Sequence, residues 1–160
     1  MIVALSFFVG CKPRTKGITE LQRKEAAHLE SEAQFAVTMR QWDRAEGLFA
    51  KTTQLCPDTG FYWLSLGAMR VRLGKRDAAK DAYKNALKAF EVEADHNKSQ
   101  GEPWLKQVEV LALLGRVEEG RATLEKAAKR FPNDRGVRAY IENKNFERMI
   151  TDPSFKQSAL

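Results

Sequence analysis

Residues 61–91 read FYWLSLGAMRVRLGKRDAAKDAYKNALKAFE. Gly67 sits inside an apolar run of helical character, where glycine costs about 1 kcal/mol relative to alanine. Trp63 and Leu66 precede it, and a second glycine, Gly74, comes after it. Beyond that glycine, Ala79, Ala82, Tyr83 and Ala86 recur at the i, i+3, i+4 and i+7 spacing of one helical face. The stretch predicts two helices joined by a tight turn at Gly74-Lys75. Glycine there supplies a left-handed residue at a helix C-terminus, and Asp77 falls where the dipole of the next helix favours an acid. Gly67 is expected where the two helices cross, opposite Ala79, because a small residue on each side lets backbones approach.

Outward from this stretch the pattern repeats. Ala45, Phe49 and Thr52 return as Ala79, Tyr83 and Ala86, each 34 residues on. Trp63, Gly74, Tyr83 and Ala86 return as Trp104, Gly115, Leu124 and Ala127, each 41 residues on. Turns analogous to Gly74-Lys75 fall at Arg40-Gln41 and Gly115-Arg116, and Asp43 opens the helix after the first. Pro57 and Pro132 close their units, and Asp58-Thr59 and Asn133-Asp134 offer caps to the next helix. Self-similarity at such a period marks stacked supersecondary units. The expected fold is all-α, with helical hairpins at about residues 25–58, 60–94 and 101–134.

A 34-residue hairpin with W-x2-L-G, a turn glycine and A-x3-Y-x2-A resembles the tetratricopeptide repeat. The second unit carries the fullest motif, in Trp63, Leu66, Gly67, Gly74, Ala79, Tyr83 and Ala86, with Glu91 where a closing proline would stand. The third keeps Trp104, Gly115, Ala127 and Pro132, with Gln107-Val108 for Leu-Gly and Gly120 for the alanine. The first keeps Ala45, Phe49 and Pro57, with Leu29 for the tryptophan and Glu32-Ala33 for Leu-Gly. The resemblance implies a right-handed α-solenoid of about three hairpins plus a C-terminal capping helix. It also implies a protein or peptide ligand on the concave face, lined by the first helix of each hairpin. The candidate contacts there are Ser31, Gln34 and Thr38, then Phe61, Ser65 and Arg72, then Lys106 and Glu109. Some members grip a peptide carboxylate with a Lys/Asn/Arg clamp. Glu30, Gln34, Ser65, Glu102 and Lys106 stand at the matching positions, so that clamp is not expected.

The lengthening of the period from 34 to 41 places seven extra residues between units two and three. The helix from about Arg76 is expected to run on through KNALKAFEVEA into a polar loop, DHNKSQGE (95–102), with Pro103 in the first turn of the next helix. Such a loop could widen the groove. At the front, Ile18–Met39 reads as one long helix. At the back, Val137, Tyr140 and Ile141 form one short apolar face and Phe146, Met149 and Ile150 another, broken at Asn143–Asn145 and stopped by Asp152-Pro153. The repeat domain then covers 18–151, with a cap at 135–151 and a tail at 152–160.

The first eleven residues, MIVALSFFVGC, are uncharged, and the charged chain begins at Lys12. Such a run is too short to cross a bilayer as a helix, which takes about 20 residues, but it suits the apolar core of a signal peptide. Phe8-Val9-Gly10-Cys11 resembles a bacterial lipobox, which implies lipid on Cys11 as the mature N-terminus. Met1-Ile2 lacks the basic start of such a leader, so an upstream start or an accidental likeness stays open, as does a buried N-terminal strand or helix turn capped by a free thiol. Residues 12–17 then read as a tether. Lys12 at the second mature position implies, by resemblance to enteric lipoproteins, an outer membrane protein facing periplasm or surface; without the anchor, a cytoplasmic adaptor is the alternative.

The net charge is +6, from 27 basic and 21 acidic residues. Both signs interleave, as on solvated helix surfaces. A nucleic-acid or anionic-polymer site is therefore expected only as an alternative, at Arg70, Arg72, Lys75 and Arg76. No nucleophile, phosphate-loop or metal motif stands in the chain. His28 and His96 lack partners at metal-ligand spacing, and Cys56 reads as a small buried thiol. No catalytic, cofactor or metal site is expected, and the chain reads as non-enzymatic.

Overall fold

The computed structural model describes residues 17–160; the leader-like segment 1–11 with Cys11, and the tether up to residue 16, lie outside them. The described residues form helices joined by short turns. Helices α1 (Glu20–Thr38) and α2 (Trp42–Leu55) make the first hairpin. Helices α3 (Gly60–Arg72) and α4 (Arg76–His96) make the second, and α5 (Glu102–Leu113) and α6 (Val117–Arg130) the third. Three shorter helices complete the described chain: α7 (Arg135–Glu142), α8 (Asn145–Thr151) and α9 (Pro153–Ser158). Partners within each hairpin pack together, and successive hairpins join through α2 on α3 and α4 on α5. The result is an α-solenoid. Its first helix opens at a capping box, in which Thr19 Oγ1 accepts from Gln22 N at 3.2 Å and Gln22 Oε1 accepts from Thr19 N at 2.8 Å.

The three intrahairpin turns share one geometry. Arg40 has φ 56°, and Gly74 and Gly115 both have φ 73°. In each turn one N–H reaches back five residues, as Lys75 N does to Arg70 O at 2.8 Å and Gln41 N to Ala36 O at 2.8 Å. The chain has glycine at two of these positions. At the third, an arginine takes a conformation that costs a residue with Cβ roughly 1–2 kcal/mol.

Gly67 is buried, and a Cβ added to it would overlap the ring of Tyr83. The close neighbour across the hairpin is thus Tyr83, one turn on from the expected Ala79, which lies in the same buried cluster with Val71, Ala86 and Phe90. Trp63 packs against this cluster and also against the one between hairpins one and two. Its indole N–H donates to Pro57 O at 2.9 Å, which ties the hairpin entrance to the end of the preceding unit. Cys56 is buried beside Ala26 and Tyr62, and burial pushes its thiol pKa up.

The seven extra residues become helix. α4 has 21 residues where α2 and α6 have 14 each. Asp95 and His96 belong to α4, and Glu102 opens α5, so the expected loop shrinks to 97–101. Gln107 Nε2 donates to Phe90 O at 3.2 Å and holds α5 on α4. Behind α6, Val137 and Tyr140 are buried with Leu105, Val108 and Phe131, and Phe146 is buried against Gly120 and Val108. Ile141, expected beside them, is exposed. The face of α7 is centred on Val137 and Tyr140, one position away. Asp134 caps α7, accepting from Val137 N at 2.9 Å, and also takes Gly101 N at 3.3 Å.

Helix α8 stops at Thr151, just before Asp152-Pro153, but 152–160 is more than a tail. Asp152 Oδ1 accepts from Ser154 N at 2.7 Å and Phe155 N at 3.2 Å, and Pro153 suits the first helical position. The segment turns back and lies against α3 and α5.

Candidate functional site

The resemblance places ligands on the first helices of the hairpins, α1, α3 and α5. On α1 the small residues Ala26, Ala33 and Ala36 are buried, which pulls the helix in and leaves Ser31, Gln34 and Thr38 exposed. Their polar groups are partly engaged within the helix. Ser31 Oγ donates to Ala27 O at 3.1 Å and Thr38 Oγ1 to Gln34 O at 3.1 Å, the local i−4 bond of such hydroxyls. Gln34 Nε2 donates to Glu30 Oε1 at 2.9 Å.

On α3, Phe61 is 43% exposed, whereas its neighbour Tyr62 is buried with its ring edge-on to Phe61 at 6.5 Å. Ser65 is half-buried. Phe61 and Lys106 share a hollow of about 250 Å³ with Gly60, Phe90 and Glu93. Lys106 Nζ pairs with Glu109 at 3.0 Å, so the two α5 candidates satisfy each other. Burial, and then the charge of Glu102, pushes the Glu93 carboxyl up. The site is therefore two patches rather than one. Phe61 and Lys106 meet at one hollow, with Glu109 joined to it through Lys106, and Ser31, Gln34 and Thr38 stand on α1.

Arg72 lies elsewhere, at the end of α3. Its guanidinium sits 4.7 Å over the Trp42 ring, and it lines the mouth of a wide cleft of about 840 Å³ with Arg148, Met149 and Phe155 from the last two helices. The other members of the basic cluster are distributed among separate tasks. Arg70 Nε pairs with Glu46 at 3.1 Å and its Nη1 donates to Ala78 O at 3.0 Å. Lys75 pairs with the same Glu46 at 3.4 Å. Burial raises the Glu46 carboxyl, but hydrogen bonds from Arg70 and Lys75 outweigh it and leave the pKa below its ordinary value. Arg76 Nη2 donates to Ala159 O at 2.9 Å. Of the four, Arg70 and Lys75 share one carboxylate, while Arg72 and Arg76 engage Trp42 and Ala159. The described residues do not bring three or more His, Cys, Asp or Glu together as a metal cage.

The geometry of the third hairpin, two paired helices closed by Phe131-Pro132, is where the sequence speaks most plainly. Residues 104–134 match the family model for the tetratricopeptide repeat. The matched residues run from Trp104 in α5 through α6 to the α7 cap, which is one hairpin of the three. The second hairpin holds more of the motif, but α4 overruns its length and no proline closes it. Among solved structures, the Arabidopsis OM64 TPR domain is 15% identical, covers 79% of this chain and 98% of its own, and superposes with a TM-score of 0.47. The first TPR of Spaghetti (RPAP3), bound to the HSP90 peptide SRMEEVD, is 16% identical, covers 81% and 95%, and gives 0.48. No curated protein matches the chain. No described helix is long and apolar enough to cross a membrane.

Proposed function

We propose that the chain is a non-enzymatic scaffold of tetratricopeptide hairpins that takes a protein or peptide ligand on the α1/α3/α5 face. The observation that carries this reading is the patch at the hairpin entrances. Phe61 presents an exposed aromatic ring over a hollow edged by Lys106, and an apolar anchor beside a charge is the chemistry of a recognition surface. The tetratricopeptide match at 104–134 is in keeping with such a ligand. The test is capture of partners from extract with wild type and with Phe61→Glu/Lys106→Glu. Both positions are off the core, so the variant keeps its helical spectrum and loses the captured set. Identical sets remove the assignment.

The same proposal places the scaffold at a bacterial envelope, held by lipid on Cys11 and facing periplasm or surface from the outer membrane. Its support is the sequence MIVALSFFVGC with Lys12 directly after it. Acyl chains partition at about 0.8 kcal/mol per buried CH₂, so two or three together hold firmly where one does not. The natural reading frame and its Cys11→Ser variant are expected to part on fractionation, the first with membranes and with added mass at Cys11. If both are soluble, the chain is a soluble adaptor.

A further inference from the structure

The segment 152–160 touches the solenoid in a particular way. Tyr83 Oη donates to Ser158 O at 3.0 Å, Arg76 Nη2 donates to Ala159 O at 2.9 Å, and Leu160 N donates to Leu113 O at 2.9 Å. All three bonds read the main chain of consecutive residues, 158, 159 and 160. Side-chain recognition is confined to two residues. Phe155 packs against the clusters that hold Val71 and Leu113 and that hold Phe146, and Leu160 packs against the cluster that holds Tyr83 and Val110. Asp152, Pro153, Ser154, Lys156 and Gln157 are exposed, and no residue of the segment is buried.

The receiving side has the opposite character. Val110 is fully buried, and Val71 and Leu113 nearly so. Burial lifts the Tyr83 phenol to about 12, so it stays a donor at any physiological pH. With the segment in place, the receiving surface offers two hydrogen-bond donors on α4 and one acceptor at the end of α5 around an apolar floor. The occupant is a surface-lying strip held by few groups, which is the low-stability end of a fold.

We infer that this surface, at the ends of α3 and α5, is a peptide-backbone-reading site, occupied in the described state by the chain's own residues 152–160. A partner segment with two apolar side chains spaced as Phe155 and Leu160 takes the site when the resident segment lifts. The inference goes beyond the entrance patch at Phe61 and Lys106, and either can fail without the other. A tethered occupant sits at a local concentration of order millimolar, so it excludes weak competitors and yields to strong ones. The segment therefore sets an affinity threshold for partners of this site.

The test uses full-length protein and a fluorescent peptide of residues 152–160. It is titrated into the wild-type chain and into Phe155→Glu/Leu160→Glu, whose resident segment keeps its length but loses both apolar contacts. The double variant is expected to bind the peptide at least about tenfold more tightly than wild type, because the tethered competitor is gone. A peptide carrying the same two replacements binds neither chain. Equal binding to both chains, or none to a variant that melts cooperatively, overturns the inference. Should the variant fail to fold, hydrogen exchange on the wild-type chain decides. The Leu160 amide is expected to be protected at least about tenfold over an open chain. Tyr83→Phe, which keeps the ring against Gly67, then loosens it several-fold. An unprotected Leu160 amide, or one indifferent to Tyr83→Phe, is the contrary result.

Discussion

Along α1 and at its end, Leu21, Phe35 and Met39 are 74%, 60% and 55% exposed, on one stripe of the helix. On α5, at the other end of the array, Val108, Val110, Leu111 and Leu113 are buried. Both are first helices of hairpins. The difference lies in the flanks. α5 has α4 on one side and α7, α8 and α9 on the other, whereas among the described residues α1 packs chiefly against α2. A repeat cannot bury both of its stacking faces alone, so what covers it decides which side chains become core. Exposure in such a fold is a property of position in the stack as much as of residue type.

The sharpest way to break this comparison is to truncate one phenylalanine at each end. Phe146→Ala removes a fully buried ring from beneath Gly120 and is expected to cost about 3–5 kcal/mol in urea denaturation. Phe35→Ala is expected to stay within about 0.5 kcal/mol. Similar costs would mean that α1 is covered after all.

A smaller effect is expected at the joint between the third hairpin and its cap. Asp134 accepts from Val137 N, and this bond is the largest cause holding its carboxyl below the usual range, with Gly101 and Gly136 adding to it. A carboxylate with a depressed folded pKa contributes stability above its unfolded pKa and loses it as pH falls through the folded one. Melts are expected to be flat in this contribution at neutral pH and to decline below about pH 4. Asp134→Ala costs about 1 kcal/mol at pH 7 and flattens that part of the acid limb. A decline of unchanged size in the variant assigns it to other carboxylates.

The smallest expected effect is a gain. Arg40 holds the left-handed turn position that Gly74 and Gly115 hold elsewhere. Arg40→Gly relieves roughly 1 kcal/mol of backbone strain, partly offset by a freer unfolded chain. The mirror change, Gly115→Ala, is expected to lose about as much. A destabilising Arg40→Gly would show that the first hairpin relies on that arginine's side chain.

The hairpins were legible because each depends on local signals. The spacing of Ala79, Ala82, Tyr83 and Ala86 dictates a face, and Gly74 and Gly115 dictate turns. Contacts between distant residues left no such mark. Arg70 meets Glu46, and Arg76 meets Ala159, across 24 and 83 residues. The partners of the basic run at 70–76 were therefore not legible from its sequence. The segment DPSFKQSAL carries no period because its docking is mostly through main-chain atoms, which every residue has. The self-bonding of Ser31 and Thr38 obeys a local rule and was within reach of the sequence, whereas the approach of Phe61 to Lys106 depended on how α5 stacks on α4.

The overrun of α4 also has a rotational meaning. Seven residues advance a helix by nearly two whole turns, with a drift of only about 20°. The far end of α4 therefore presents its neighbours with almost the same azimuth that a shorter helix would. Phe90 and Ala94 remain buried on the same side as Tyr83 and Ala86. An insertion of three or four residues would have swung that side toward solvent by about 60° or 40°. Excision of a heptad from α4 should thus leave the third hairpin facing the same way, merely drawn closer along the axis, while excision of any other small number would turn it.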